Sequence, residues 1–430
     1  MSRIWGVALL LSAGLTGMPA MAATFTYSYT WASGDHVGQP AGTCSYIVPD
    51  MRPLQVPRTL VVDSAVPVGT VLYSWDFNSF LPGFRIQCTG SGIDNSTNYT
   101  NVNNGSISGN LILSNFRFTG MTVSPLFSST NPVYATTLAG IGIRLSVKAD
   151  TDSAVDGSGT NYSYVSLYRV NGQSQVYPAP RDVVYVWGGS TGPEANLYTR
   201  VFSTGTSPKR HSIKTIAQGV SVKADLIKTA DTVQYGSLGV GGTPSTTWSV
   251  TAVLSPALPT DFLAGNAITV VSPSCRLRTT DYTISMGTWA ADTVNHTGAP
   301  ATGAAVPVGL DLECSGKVAD VQFRFEDTGS SPSSLAEKNV TLYDGGGNKV
   351  NGLEIQMKYN GERINVDGVT QTSTGSHGQV RTDAEQVPLY TSNSQAMFTA
   401  NYIQNGPITV GGNNYTGPVS GKVNVWVTYN

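Results

Sequence analysis

The chain of 430 residues carries 25 Lys+Arg against 27 Asp+Glu, so that only 12% of it is charged and the net charge is −2. Globular chains usually hold about 25% charged residues. With 40% hydrophobic residues, 47 Gly and 23 Pro, the composition excludes a disordered chain, which is poor in apolar residues. It also excludes a Glu/Lys/Ala-rich helical protein and a nucleic-acid binder that works through clustered Lys and Arg. Thr, Ser, Val, Tyr, Gly and Asn dominate, the vocabulary of short strands joined by turns. The expected class is an all-β, extracytoplasmic protein.

In chain order, the first element reads as an export signal over residues 1–22. Arg3 supplies the positive start, Ile4 to Leu15 a short apolar run, and Ala20-Met21-Ala22 a small-x-small cleavage pattern. A membrane helix is the competing reading, but the run is short and broken by Gly. Export agrees with four cysteines, Cys44, Cys88, Cys275 and Cys314, in an oxidising compartment. Four cysteines allow three pairings. Their order favours two local bridges, Cys44–Cys88 and Cys275–Cys314, each closing about 40 residues and worth ~3–4 kcal/mol in the loop-entropy picture. Metal ligation competes weakly, since C-x-x-C is absent and the four His are scattered singly. No metal and no cofactor are expected.

Strand-like runs then recur to the end. Leu111/Leu113 lead into Phe116 and Phe118, followed by Val183 to Trp187 and by Trp248/Val250/Ala252/Leu254. The C-terminal part alternates more cleanly, in Val308/Leu310/Leu312/Cys314, Val321/Phe323/Phe325, Leu353/Ile355/Met357/Tyr359 and Val423/Val425/Val427/Tyr429. One apolar face and one polar face suit a half-buried strand of a sandwich. Pro256, Pro259 and Gly265 mark a boundary, after which Ala267 to Val271 reads as the opening strand of a second unit. The expected domains are 23–262 and 265–430, two immunoglobulin-like or jelly-roll-type β-sandwiches in tandem. Residues 23–264 hold 14 Lys/Arg against 13 Asp/Glu and residues 265–430 hold 10 against 14. A near-neutral first domain suits a neutral partner such as an uncharged sugar better than a polyanion.

Sugar recognition calls for an aromatic platform beside Asp, Asn or Gln. Trp75-Asp76-Phe77-Asn78 combines both, as does Trp31 with Asp35 and His36; Tyr185 and Trp187 lead into the Gly188-Gly189-Ser190 turn. Each Trp is equally a candidate for sandwich core, where buried Trp is routine. The polar stretches Asn95-Ser96-Thr97-Asn98 and Asn101 to Asn110 read as loop. Three further patterns are weak. Gly188-Gly189-Ser190-Thr191-Gly192 matches G-x-S-x-G, but Pro193 follows where a nucleophile elbow needs a helix. Asp150 to Gly157 breaks the ligand spacing of a calcium loop. His36 and His211 stand alone, and two separate imidazoles seldom bind metal. No compact acidic pair proposes a glycosidase, so no catalysis is expected.

Five features toward the C-terminus carry a resemblance. Cys275 follows a strand; Tyr282 to Thr288 resembles a strand ending in Gly; Val308 to Cys314 delivers the second cysteine; Ala396 to Tyr402 has the form F-x-A-x-Y; and Gly417 precedes Val423, Val425, Val427 and the penultimate Tyr429. In this order they resemble the pilin domain of chaperone–usher fimbrial subunits. The resemblance implies an incomplete pilin sandwich that lacks its last strand. Periplasmic chaperone and then an adjacent pilus subunit would supply that strand, after passage through an outer-membrane usher. It also implies that a large extra N-terminal domain makes the chain a two-domain tip adhesin, with a lectin-like domain binding a host or surface glycan. Its place would be the fimbrial tip at the cell surface, reached through the periplasm. A structural or adaptor subunit is the alternative, with a secreted hydrolase behind it.

Overall fold

The computed structural model describes residues 23–91, 102–104, 107–109, 111–124, 128, 130–151, 153–155, 161–189, 192–200, 202–203, 211–250, 259–290, 300–333, 338–381 and 389–429. Among them the chain is all-β, with one short 3-10 turn at Pro53–Gln55. The export signal, the Asn95 loop and Ser190 lie outside the described residues.

Two large sheets of the N-terminal unit pack on one core, and a smaller three-stranded sheet adds to it. The first runs, strand beside strand, through Val184–Val186, Ile141–Ala149, Ile216–Lys228, Leu81–Gly90, Pro40–Val48 and Ala23–Trp31. The second runs through Asn161–Val170, Glu194–Arg200, Leu111–Met121 and Gly242–Val250. Alternation explains which side chains meet, because successive residues of a strand face opposite sides. In Ile216–Lys228, Val220, Val222, Ala224 and Leu226 join the core while Lys223 and Asp225 take the other face. Phe116 is the hub, with Phe84 stacked at 4.4 Å and Trp248 at 5.7 Å, and Trp187 edge-on at 5.5 Å. Full burial of such side chains contributes about 1.5–3 kcal/mol each. Cys44 and Cys88 face each other across neighbouring strands and are bonded, as expected from their order.

Ile268–Val271 belongs to the first core. It pairs in parallel with Arg58–Val61 and antiparallel with Gly236–Leu238, and Ile268 and Val270 sit in the N-terminal core. The strand that was to open the second unit therefore closes the first. Its partner lies far upstream, where local pattern gives no hint of it.

The C-terminal unit has its own core around Leu310, Leu312, Phe323, Phe325 and Phe398. One sheet orders Cys275–Leu277, Val306–Cys314, Ser392–Val410, Lys349–Tyr359 and Val340–Tyr343; the other orders Asp367–Ser373, Val321–Asp327 and Val423–Tyr429. Cys275 is bonded to Cys314, its direct partner across the ladder. Phe398 stands edge-on to Phe323 at 5.2 Å and Phe325 at 5.0 Å, joining the two sheets.

One loop of the first unit grips the second. Asp63, 3% exposed, accepts Ala65 N–H at 2.8 Å through one carboxylate oxygen. Its other oxygen accepts Lys317 N–H at 2.9 Å and Arg381 N–H at 3.3 Å. Behind this loop the buried Lys228 ammonium donates to the carbonyls of Ser64 and Val66, the latter at 2.6 Å. A buried charge persists only when hydrogen-bonded in this way.

Candidate functional site: an open groove in the C-terminal unit

The sequence that resembles a strand at Tyr282–Thr288 forms none: residues 281–290 lie in no strand. The segment is anchored at its start by Arg278 N–H on Asp311 O at 2.9 Å, and Tyr282 OH sits 3.3 Å from the same carbonyl. Tyr282 and Met286 pack against the core, while Ile284 between them is 36% exposed. Their every-second-residue spacing is that of a strand face, and the covering layer is incomplete.

Across from this segment runs Val423–Tyr429. It pairs with Val321–Asp327 along its whole length, Val423 opposite Asp327 and Tyr429 opposite Val321. It is the last strand of its sheet, so its other edge has no ladder among the described residues. Val423, Val425 and Val427 touch the core and remain only half-buried. Between the two walls lies a cavity of about 560 Å³, floored by Leu310, Phe325 and Met357 and walled by Tyr282, Ile284 and Val425. Thr280, Asp281 and Asn424 also line it. A slot with an apolar floor beside a strand edge that is unpaired among the described residues is what another chain adds a strand to.

Of the residues singled out there, Val423 and Val425 line the slot. Val427 packs on the core beside it. Gly417 lies in the exposed turn upstream, where a side chain would collide with the Tyr415 hydroxyl, and Tyr429 is 42% exposed at the far end of the strand.

The aromatic candidates of the N-terminal unit resolve as core. Trp31 and Trp75 are 1% exposed and Trp187 is fully buried, so none of the three offers a ring face to a ligand. Trp31 points inward while Asp35 and His36 lie on the tight turn beyond it, closed by Gly38 N–H on Trp31 O at 2.8 Å. Trp75 stands edge-on to Tyr73 at 4.7 Å. Asp76 spends one oxygen on its own turn, accepting Asn78 N–H at 2.9 Å and Ser79 N–H at 2.7 Å. The Ser79 bonds hold its carboxyl below the usual range, and Asn78 is exposed on that turn. Trp187 donates Nε1–H to the carbonyls of Tyr168 at 3.2 Å and Glu194 at 3.3 Å. Asp150 is engaged by Ser221 Oγ at 2.7 Å and Arg85 at 3.6 Å, and the rest of that acidic loop is not fully described. The His211 side chain lies outside the described residues.

No protein-family model matches the chain, and no curated protein matches it. Solved structures resemble it loosely. The CupB6 tip adhesin from Pseudomonas aeruginosa is 14% identical over 90% of this chain and 94% of its own, with a TM-score of 0.42. The P pilus rod subunit PapA is 18% identical over 37% of this chain and 99% of its own, at 0.24. The receptor binding domain of the adhesin MrkD1P of Klebsiella pneumoniae is 16% identical over 59% of this chain and 99% of its own, at 0.22. Superpositions this loose are likeness alone.

Proposed function

We propose that the chain is a fimbrial tip adhesin whose C-terminal sandwich is completed by a strand from another protein. The observation that carries this reading is the slot between Tyr282–Met286 and the free edge of Val423–Tyr429. Two features of the sequence support it: the F-x-A-x-Y strand, placed in the core through Phe398 and Ala400, and the alternating valines of the last strand. The occupant would be the periplasmic chaperone first and a neighbouring subunit afterwards, with the usher between. Its side chains would enter the slot in alternate register while its backbone pairs with residues 423–429. The separate N-terminal core would be the distal unit of the fibre and would bind a glycan.

The test uses the full chain and a synthetic peptide of alternating apolar and polar residues. Binding is expected, with a rise in melting temperature, and Val425→Asp should abolish both, because a charge would enter the apolar slot. If the peptide does not bind and the chain stays monomeric and stable, the sandwich is complete as it stands and the reading fails.

A further inference from the structure

The two outer faces of the N-terminal sandwich differ in chemistry. On the first sheet the outward residues are ions held by one another: Arg144 with Asp225 at 2.8 Å, Lys223 with Asp225 at 3.9 Å, Arg85 with Asp150 at 3.6 Å and Lys148 with Asp182 at 3.6 Å. Asp225 at the centre of these pairs is only 3% exposed, so its charge is held by Arg144 and Lys223 rather than by water. On the second sheet the inward residues Val165, Leu167, Ala195, Leu197, Phe116 and Phe118 fill the core, which turns their neighbours outward. The register sets those neighbours in three rows: Tyr164, Tyr198 and Leu113; Ser166, Asn196, Asn115 and Ser249; and Tyr168, Glu194, Arg117 and Thr247. Tyr164 and Ser166 are buried at 4% and 0%, with Tyr177 and Gln175 packed on them, so the part open to a ligand is Tyr177, Tyr198, Tyr168, Glu194 and Asn115. The only formal charges in these rows, Glu194 and Arg117, stand directly opposite each other.

The rows are organised internally. Asn115 Nδ2 donates to Glu194 Oε1 at 2.9 Å and to Asn196 Oδ1. Asn196 Nδ2 donates to the Tyr198 hydroxyl at 3.0 Å, and Tyr198 is bonded in turn to Tyr168. Asn196 is 6% exposed, so this amide is locked in place. Tyr198 stacks on Tyr164 at 4.4 Å, and Tyr177 stands edge-on to Tyr164 at 4.6 Å with half its surface in water. Phenols and amides with paired, cancelling charge are the composition of a recognition surface, which is rich in Tyr and Asn and poor in Lys, Asp and Glu. Rigid rings offer contact area at small entropic cost, and fixed amides and a carboxylate suit hydroxyl groups.

We propose that this face binds an uncharged oligosaccharide, with sugar rings against Tyr177 and Tyr198 and hydroxyls on Glu194, Asn115 and Tyr168. Within the three rows Glu194 and Arg117 cancel, which suits a neutral occupant over a sialylated or sulfated one; Arg200 lies beyond them on the same strand. The inference rests on the adhesin reading and supplies its surface.

The experiment presents the full chain to a printed array of neutral, sialylated and sulfated oligosaccharides, then measures the best hit in solution. Neutral glycans should bind. Tyr177→Ala, at a half-exposed ring, and Glu194→Gln, nearly isosteric, should each weaken binding at least tenfold without moving the melting temperature. Lys223→Ala on the opposite face should leave affinity unchanged. Glycan binding that survives both substitutions, or a preference for acidic glycans, overturns the proposal. If the chain binds a cell-surface protein and no glycan, this surface assignment falls and the adhesin reading stands. If fibres without the chain attach to cells as well as fibres with it, both fall.

Discussion

At the scale of single residues, the Trp side chains show what a sequence conceals. Trp75 and Trp187 neighbour Asp, Asn and Gly in the chain, yet both rings turn inward, because alternation tells which residues share a face and not which face is wet. Trp187→Ala should therefore behave as a core deletion, lowering stability by about 3–5 kcal/mol in a denaturant melt. An unchanged midpoint with lost ligand binding would contradict its place against Phe116. On the proposed glycan surface the signal would lie in the tyrosines at 164, 168 and 198, which share one face of neighbouring strands.

His377 offers a pH test. Its imidazole lies between the hydroxyls of Thr374 at 2.9 Å and Ser394 at 2.8 Å. Burial holds it below the usual value, against the opposing pulls of Thr374 and Asp320. A folded pKa depressed in this way means that the unfolded chain takes up the proton first as pH falls. The stability is present above about pH 6.5 and is lost progressively below it, down through the folded value. The melting temperature of the C-terminal unit should drop on acidification across that window, and His377→Gln should flatten the dependence. A melting temperature that rises on acidification would have the sign wrong.

At the scale of elements, the strands with clean alternation were legible. Val306–Cys314 and Val321–Asp327 bury every second residue as written, and the order of the cysteines anticipated both bridges. Two elements were not legible, for different reasons. Ile268–Val271 is apolar enough to open a domain, but its parallel partner Arg58–Val61 settles it in the first core, and no local pattern encodes a distant partner. Tyr282–Met286 has the alternation of a strand and has no strand to pair with among the described residues. The Asp63 loop is a third element with a testable role. Asp63→Ala would leave the part-buried Lys317 and Arg381 amides without this acceptor, a cost of about 1–3 kcal/mol for hydrogen bonds to a charged group. Hydrogen exchange at those two amides should accelerate while the N-terminal core keeps its protection. Unchanged exchange would show that the loop merely touches the second unit.

At the scale of the whole molecule, two cores of unequal completeness share one chain. The N-terminal core, built on Phe116 with its flanking aromatic rings, is packed between two large sheets with a third, smaller one beside them. Among the described residues the C-terminal core is open along the edge of its last strand, an exposure that isolated proteins ordinarily cover, bulge or charge. Val423, Val425 and Val427 carry none of these protections, which is the physical reason to read the edge as a socket. The most direct test is hydrogen exchange over residues 423–429 in the full chain, alone and with a donor strand bound. The account predicts weak protection of that free edge in the chain alone and strong protection with the donor. Full protection in the chain alone, unaltered by any donor, would contradict it.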